Sequence, residues 1–172
     1  MAIGLVGSEM CIRDRGDRRR MFNLGNRLWH TDSSFRNIPS KFSILSCRSS
    51  PKVGGNTEFS FMPAVYDELD EGTKQEIADL TTEHSLIYSR GQLGFSDFNE
   101  EEKQMFKPVQ HVMVRINEFT KHKSIYLSSH IGKILGWEIP EGRDFIRELM
   151  EFATQRHFVY AHEWKPGDLV MW

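Results

Sequence analysis

Short runs in which apolar and polar residues alternate recur along the chain and predict half-buried β-strands. The runs from Phe42 to Cys47 and from Thr57 to Phe61 both alternate in this way. Two further runs, Val109 to Ile116 and Lys123 to Ser128, predict a pair of strands. The run from Phe158 to Trp164 alternates as well, so strands are expected along much of the chain.

Helical spacing of apolar residues is clearest from Glu141 to Gln155, where Pro140 suits the first turn of a helix. Shorter helices are predicted from Pro63 to Leu69 and from Gly72 to Leu80. Many strands with a few helices outside them predict a mainly β fold with a barrel or sandwich core.

Weaker patterns leave several segments to be interpreted from their residue types. We interpret residues 28–30, 33–35, 81–89 and 169–172 as extended. Residues 90–107 are polar and carry glycine and glutamate, which predicts a long loop with one helical turn.

The composition is that of an ordinary globular protein. Of the 172 residues, 39% are hydrophobic and 27% are charged, which fits one domain with a sizeable core. The formal net charge of -2 gives no reason to expect a nucleic acid or a membrane as an electrostatic partner. No apolar run approaches the roughly 20 residues that cross a bilayer. Two cysteines, Cys11 and Cys47, do not make a disulfide framework, so a cytoplasmic protein is expected.

Both ends of the chain indicate a fragment. The stretch from Gly4 to Arg15 reads GLVGSEMCIRDR and resembles a sequencing-library adapter read as coding sequence, so residues 1–15 are expected to be non-native or disordered. At the other end the chain stops at Trp172, inside a predicted apolar strand. We therefore expect residues 16–172 to form a truncated domain.

The sharpest chemical feature is the triplet His30-Thr31-Asp32. Side chains two positions apart on a strand lie on the same face, so an imidazole and a carboxylate can converge on one cation. Two histidines and one carboxylate form the facial triad that leaves open positions on Fe(II) for oxygen chemistry. By itself such a triplet is weak, because a surface strand or a hydrogen-bonded pair is its common explanation.

Two further motifs strengthen the interpretation. The triplet lies within GNRLWHTDSSF from Gly25 to Phe35, and it is followed by GGNTEF from Gly54 to Phe59 and by WKPGDLVMW from Trp164 to Trp172. In this order they resemble the family of Fe(II)- and 2-oxoglutarate-dependent taurine and 2,4-dichlorophenoxyacetate dioxygenases, and the chlorophenoxyacetate branch is the nearer match. The resemblance runs from about residue 20 to the last residue. It implies a double-stranded β-helix (a cupin-like jelly roll), incomplete at the C-terminus.

The resemblance also implies roles for individual residues. His30 and Asp32 resemble the first two iron ligands and the catalytic residues. Thr57 resembles the threonine whose hydroxyl binds a 2-oxoglutarate carboxylate, although an ordinary strand threonine is the alternative. Asn26, which would otherwise be a turn residue, and Ser34 lie where family members approach the substrate.

Histidine positions elsewhere predict little. His130 follows a predicted strand and is kept as a candidate substrate neighbour, whereas ordinary exposed or hydrogen-bonded imidazoles are expected at the other positions. The second histidine ligand and the arginine that pairs with 2-oxoglutarate in the family lie beyond the position of Trp172. We therefore expect the fragment to be inactive.

The function implied by the resemblance is hydroxylation of a small organic acid, such as an aryloxyacid or a sulfonate, with O2 and 2-oxoglutarate as co-substrates and release of succinate and CO2. One alternative is a non-catalytic jelly-roll module that binds a small acid. Another is a different metalloenzyme, such as a hydrolase. The substrate and the formation of a homo-oligomer stay open.

Overall fold

The computed structural model describes residues 2–4 and 18–172. Short strands and helices alternate along this part of the chain. The strands are β1 Ala2–Gly4, β2 Ile44–Ser46, β3 Thr57–Ser60, β4 Thr81–His84, β5 Val109–Val112, β6 Val114–Ile116, β7 Lys123–Ile125, β8 Ile131–Ile134, β9 Val159–His162 and β10 Leu169–Met171. The α-helices are α1 Arg18–Asn23, α2 Met62–Glu68, α3 Glu71–Ile77, α4 Leu86–Gly91, α5 Glu100–Met105 and α6 Ile139–Ala153, and 3-10 turns cover Leu24–Arg27 and Arg156–Phe158.

The described strands form small antiparallel sheets. One has the order β1-β3-β9 and another has the order β5-β4-β8, while β10 pairs with β2 and β6 pairs with β7. The prediction of a mainly β fold with flanking helices is confirmed. The double-stranded β-helix is a finer statement that these sheets do not show.

The longest described helix, α6, covers the sheet that contains β8. Its residues Ile146, Leu149 and Ala153 are buried together with Ile134 of β8. Gly142 brings the helix close to that strand, because a Cβ atom at this position would lie 3.5 Å from the backbone nitrogen of Ile134. The helix predicted from apolar spacing is therefore confirmed, and it begins and ends two residues earlier than expected.

Residues 81–89 differ from the prediction of an extended segment. Strand β4 ends at His84, and α4 begins at Leu86 because the Ser85 side chain accepts a hydrogen bond from the backbone nitrogen of Tyr88. Such an N-cap satisfies a backbone donor that the first helical turn leaves unpaired. One capping serine therefore ends the strand and starts a helix.

The region expected to be a loop with one helical turn contains α5. Asn99 and Glu102 form a reciprocal capping box at its start. Glu102 also binds the guanidinium of Arg18 at 2.8 Å. The acidic residues around this helix are accordingly explained by capping and ion pairing.

The predicted final strand is present as β10, where Val170 is opposite Leu45 of β2. At the other end, Ala2–Gly4 pairs with β3, and the rest of residues 1–15, including Cys11, lies outside the described residues. Whether residues 1–15 are native stays a prediction. Cys47 is a buried free thiol. Of the helices in the described residues, none combines the length and apolarity that a membrane crossing requires.

Candidate metal centre

The structure brings the side chains of His30 and Asp32 together. His30 Nε2 lies 3.3 Å from Asp32 Oδ1, and both side chains are only partly exposed. The other ring nitrogen, Nδ1, lies 2.7 Å from the carbonyl oxygen of Leu28. A carbonyl accepts hydrogen bonds and cannot donate them, so Nδ1 carries a proton and donates to Leu28. In the neutral ring, Nε2 then presents its lone pair to the carboxylate.

Two atoms that both present lone pairs repel each other at this distance unless a proton or a cation lies between them. Two ligand atoms bound to one first-row metal at about 2.1 Å, with a right angle between the bonds, lie about 3 Å apart. The separation of His30 Nε2 and Asp32 Oδ1 is close to that value. The donor set therefore fits two ligands of one divalent cation, and the Leu28 carbonyl orients the imidazole in the way that metal-bound histidines require.

The Asp32 carboxylate is held in its ionised form. The interaction with the His30 side chain is the main reason that the pKa of Asp32 is lowered, and burial opposes it. Smaller contributions in the same direction come from Ser43 and the Trp172 side chain. An ionised carboxylate is the form that binds a metal. Within residues 2–4 and 18–172, no group of three or more His, Cys, Asp or Glu side chains is placed to hold a metal, so the pair supplies two ligand positions.

The local backbone of the pair is not the regular strand that was predicted. His30 is a single bridge residue, and the chain then turns through Ser33, which has a positive φ of 59°. The side-chain hydroxyl of Thr31 donates to the carbonyl of Leu127 at 2.8 Å, and its backbone nitrogen donates to the hydroxyl of Ser128 at 3.3 Å. The two side chains do converge as predicted. A turn that is hydrogen-bonded to Leu127 and Ser128 brings them together, and not a regular strand.

His111 holds the same turn from the other side, a role that was not foreseen from the sequence. Its Nε2 lies 2.9 Å from the carbonyl oxygen of Ser34 and 3.1 Å from that of Arg36, so it donates to both. Its Nδ1 is then free to accept from the guanidinium of Arg115 at 3.1 Å. Burial and the nearby charge of Arg115 lower the pKa of His111, which favours this neutral state. The spacing of His111 carried no signal of this contact, because its partners lie far away in the sequence.

Thr57 is buried in β3, and its Oγ1 accepts a hydrogen bond from the indole nitrogen of Trp164 at 2.9 Å. Because an indole N–H only donates, the Thr57 hydroxyl keeps its own proton for another acceptor. Phe59 lies on the same strand face as Thr57, and its ring centroid is 5.2 Å from that of Trp172. The Trp172 side chain is one of the groups that lower the pKa of Asp32. Thr57 therefore belongs to the strand face that adjoins the candidate metal ligands.

The three weaker candidates have different surroundings. Asn26 lies in the 3-10 turn before His30 and is partly buried. Ser34 is fully buried, and its hydroxyl bonds that of Ser128 at 3.3 Å, which is the environment of a structural residue. His130 is buried, and its ring centroid lies 6.2 Å from that of His30. Of the three, His130 is the one whose ring lies beside that of the candidate metal ligand His30.

A cavity of about 920 Å³ opens beside His30 and Asp32. It carries two cationic side chains, Lys41 and Arg115, and the guanidinium of Arg115 lies 3.3 Å above the Tyr126 ring. The candidate metal ligands therefore face open space, as a site for a co-substrate and O2 requires. Other lining residues include the acidic Glu118 and the aromatic Phe42, Phe119 and Trp172.

A histidine and a carboxylate converging beside a cavity, with the family's three motifs around them, define the class of protein. The chain belongs to the taurine catabolism dioxygenase TauD, TfdA family, which matches residues 6–172. The family resemblance recognised in the sequence is confirmed.

Three individual proteins similar to this chain are named as dioxygenases or as a protein bound to Mn(II) and N-oxalylglycine. The chain is 41% identical over 170 residues to the α-ketoglutarate-dependent 2,4-dichlorophenoxyacetate dioxygenase of Burkholderia sp. (strain RASC), covering 99% of this chain and 57% of that protein. It is similar to the crystal structure of AAD-2 in complex with Mn(II) and N-oxalylglycine, with 55% identity, a TM-score of 0.89 and coverage of 100% of this chain and 64% of the other. A structure of a putative α-ketoglutarate-dependent 2,4-D dioxygenase from Burkholderia xenovorans has 45% identity and a TM-score of 0.88, covering 92% and 61% of the two chains. The chain thus spans about three fifths of the length of these relatives.

Proposed function

We propose that the protein is an Fe(II)- and 2-oxoglutarate-dependent dioxygenase that hydroxylates a small organic acid, with release of succinate and CO2. The observation that carries the proposal is the approach of His30 Nε2 to Asp32 Oδ1 at 3.3 Å, with the second imidazole nitrogen committed to a backbone carbonyl. Family membership supports it, because relatives of this chain are named as α-ketoglutarate-dependent dioxygenases. A double-stranded β-helix is proposed as the complete fold, as the family resemblance implies.

His30 and Asp32 are proposed to hold the iron through Nε2 and a carboxylate oxygen. Bound there, the metal would supply the activation of O2 that this class of reaction needs. The chain's own residues supply orientation: the Leu28 carbonyl fixes the tautomer of His30, and His111 fixes the turn that carries Asp32. A ligand pair held in one geometry retains metal more tightly than a flexible one, since outer partners typically contribute about 10–100-fold in affinity.

Thr57 is proposed to bind a carboxylate of 2-oxoglutarate with its hydroxyl. The Trp164 indole makes the Thr57 oxygen an acceptor on one side, so the hydroxyl proton points to the remaining side. Among the described residues, no protein acceptor takes that proton. A neutral donor of this kind binds an anion without adding a charge that competes with the metal.

The substrate is proposed to be an aryloxyacid or a related carboxylic acid. The supporting observation is similarity to a protein named for 2,4-dichlorophenoxyacetate, together with cationic and aromatic side chains around the metal ligands. The positive charges of Lys41 and Arg115 attract the acid as it approaches the site, and aromatic side chains provide apolar surface for its ring.

Metal binding tests the first part of the proposal. Mn(II) is a suitable probe, because free and bound Mn(II) are distinguished by electron paramagnetic resonance. Asp32→Asn and His30→Gln are each expected to weaken Mn(II) binding at least about tenfold. His157→Gln is the matched control, since His157 Nε2 also lies 3.3 Å from a carboxylate, that of Glu68, but on the surface. Equal Mn(II) affinity in Asp32→Asn and the unmodified chain would refute the assignment.

A second measurement tests the co-substrate. With Mn(II) present, Thr57→Val is expected to weaken 2-oxoglutarate binding by about 10–100-fold, the effect of one hydrogen bond to a charged group. Trp164→Phe keeps the ring but removes the N–H, and a several-fold loss is expected because the Thr57 hydroxyl is no longer oriented. The two losses should not add in the double variant. Additive losses would show that Trp164 does not act through Thr57.

The same titrations separate the alternatives. A hydrolase would bind Zn(II) without any effect of 2-oxoglutarate, and a non-catalytic module would bind a small acid without a metal. Anaerobic Fe(II) with 2-oxoglutarate is expected to give a weak visible charge-transfer band in the full-length form of the enzyme. For the chain of 172 residues, the absence of succinate formation stays a prediction, and succinate above background would contradict it.

A further inference from the structure

Among the described residues, a buried arginine near the candidate metal centre has no counter-charge. Arg90 is only 6% exposed, yet no carboxylate of the described residues pairs with it. Its Nη1 donates to the hydroxyl of Ser89 at a long 3.4 Å. Its Nε is shut off from water and has no hydrogen-bond partner. Buried charges in folded proteins are normally paired, so the unpaired guanidinium of Arg90 calls for a functional explanation.

The fold itself gives Arg90 little compensation. The Phe22 ring lies 4.8 Å from the guanidinium carbon, a cation–π contact that is weaker than an ion pair. Gly25 is needed to make room, because a Cβ atom there would lie 1.9 Å from Nη1. Burial lowers the pKa of Arg90, which expresses the same cost of an unpaired charge. An apolar side chain of similar length would fill this space without that cost.

The position of Arg90 links it to the metal ligands through Ser89 and His130. The Ser89 hydroxyl donates to the carbonyl of Leu86 at 2.9 Å, so its oxygen accepts both from Arg90 and from His130 Nδ1, which lies at 2.7 Å. His130 in turn lies beside His30, with ring centroids 6.2 Å apart. Two residues, Ser89 and His130, thus connect Arg90 to the candidate iron ligand His30.

Aromatic rings surround Arg90 and His130. Phe22, over the guanidinium, contacts Phe95 at 5.9 Å, and Phe35 contacts His130 at 5.0 Å. Each neighbouring pair in this series is arranged edge to face. The series runs Phe22, Phe95, Phe98, Phe106, Phe35 and His130.

We propose that Arg90 binds the carboxylate of an aryl-bearing acid substrate, which supplies the missing counter-charge while the surrounding phenylalanines contact the aryl ring. The proposal rests on the proposed function and names the group that selects its substrate. The Nε and Nη2 donors are the side-on edge of a guanidinium, which binds a carboxylate through two parallel hydrogen bonds. Entry of the acid displaces the Phe22 ring that covers Arg90.

Thermal unfolding of the full chain with and without phenoxyacetate tests the proposal, with 2-phenoxyethanol as the uncharged analogue. Phenoxyacetate should raise the unfolding temperature and the alcohol should not. In Arg90→Met the dissociation constant for phenoxyacetate is expected to rise at least about tenfold. Without ligand, Arg90→Met should unfold at the same temperature as the unmodified chain or higher, because an unpaired buried charge has been removed. Arg143→Met is the matched control: Arg143 also lies over an aromatic ring, that of Tyr88, but is exposed.

Three results would overturn the proposal. They are equal effects of phenoxyacetate and the alcohol, unchanged phenoxyacetate binding in Arg90→Met, and a large loss of stability in Arg90→Met, which would mark a structural arginine. Arg90→Lys keeps the charge but cannot donate two parallel hydrogen bonds to a carboxylate. It should fold normally and weaken phenoxyacetate binding several-fold.

Binding of 2-oxoglutarate with Mn(II) should not change in any Arg90 variant. Failure of that binding in the unmodified chain would count against the proposed function, and failure of the phenoxyacetate result alone would count against the role of Arg90.

Discussion

Acid sensitivity of the fold is expected to depend on His84. This side chain is fully buried, and its Nε2 donates to the Thr82 hydroxyl at 3.0 Å, since that hydroxyl itself donates to the carbonyl of His111. Its Nδ1 has no hydrogen-bond partner. Burial, with the charges of His111 and Arg115, lowers the pKa of His84 to about 3. The folded protein therefore keeps His84 neutral over a wide range of pH.

The sign of the effect follows from the two states. In the unfolded chain a histidine has a pKa of about 6.5. Below that pH, His84 binds a proton in the unfolded chain but not in the folded protein. The contribution of His84 is complete above about pH 6.5 and is lost as the pH falls towards the folded pKa of about 3. Between pH 7 and pH 4.5 this linkage lowers the free energy of unfolding by about 2–3 kcal/mol.

His84→Gln removes the titration but keeps a donor for Thr82. Urea unfolding at pH 7 and pH 4.5 should show a loss of stability that is about 2–3 kcal/mol smaller in His84→Gln than in the unmodified chain. The exposed His122 provides the control, and His122→Gln should keep the normal pH dependence. The same loss of stability in all three proteins would refute the reasoning, because His84 would then accept its proton equally in both states.

Two further substitutions test contacts around the candidate site. His111→Phe leaves the buried carbonyl of Ser34 without its donor, so we expect a loss of about 1–3 kcal/mol in urea unfolding and about 10–100-fold weaker Mn(II) binding; unchanged values would show that His111 does not hold the turn. Gly25→Ala places a Cβ atom against the guanidinium of Arg90, and a loss of about 1–3 kcal/mol is expected in the same unfolding assay. Gly91→Ala, where a Cβ atom meets nothing within 4 Å, is its control. Equal stability of these two alanine variants would contradict the close contact.

Helices and strands with local signals were predictable. The apolar spacing of α6 and the alternation of β6 and β7 are properties of neighbouring residues, so both elements were expected from the pattern. The change from strand to helix after His84 was missed, because it depends on the single cap made by Ser85. A cap is a hydrogen bond of one side chain and leaves no periodic trace.

The residue types of the candidate site also followed from the sequence. The spacing of His30 and Asp32, together with the family motifs around them, is enough to indicate a candidate metal site from the sequence alone. The sequence did not show how the pair converges: the chain turns after His30, and the expected face of a regular strand is absent.

The sequence by itself determined the family, the candidate ligand pair and the regular elements, because each depends on residues close together in the chain. Tertiary structure alone decided which side chains surround the pair. His111 reaches the carbonyl of Ser34 across 77 positions, and Trp164 reaches Thr57 across 107. The burial of Arg90 with no counter-charge in the part of the chain that the structure describes is likewise a property of the packed molecule. Such contacts join distant segments, and no local pattern of hydrophobic and polar residues encodes their partners.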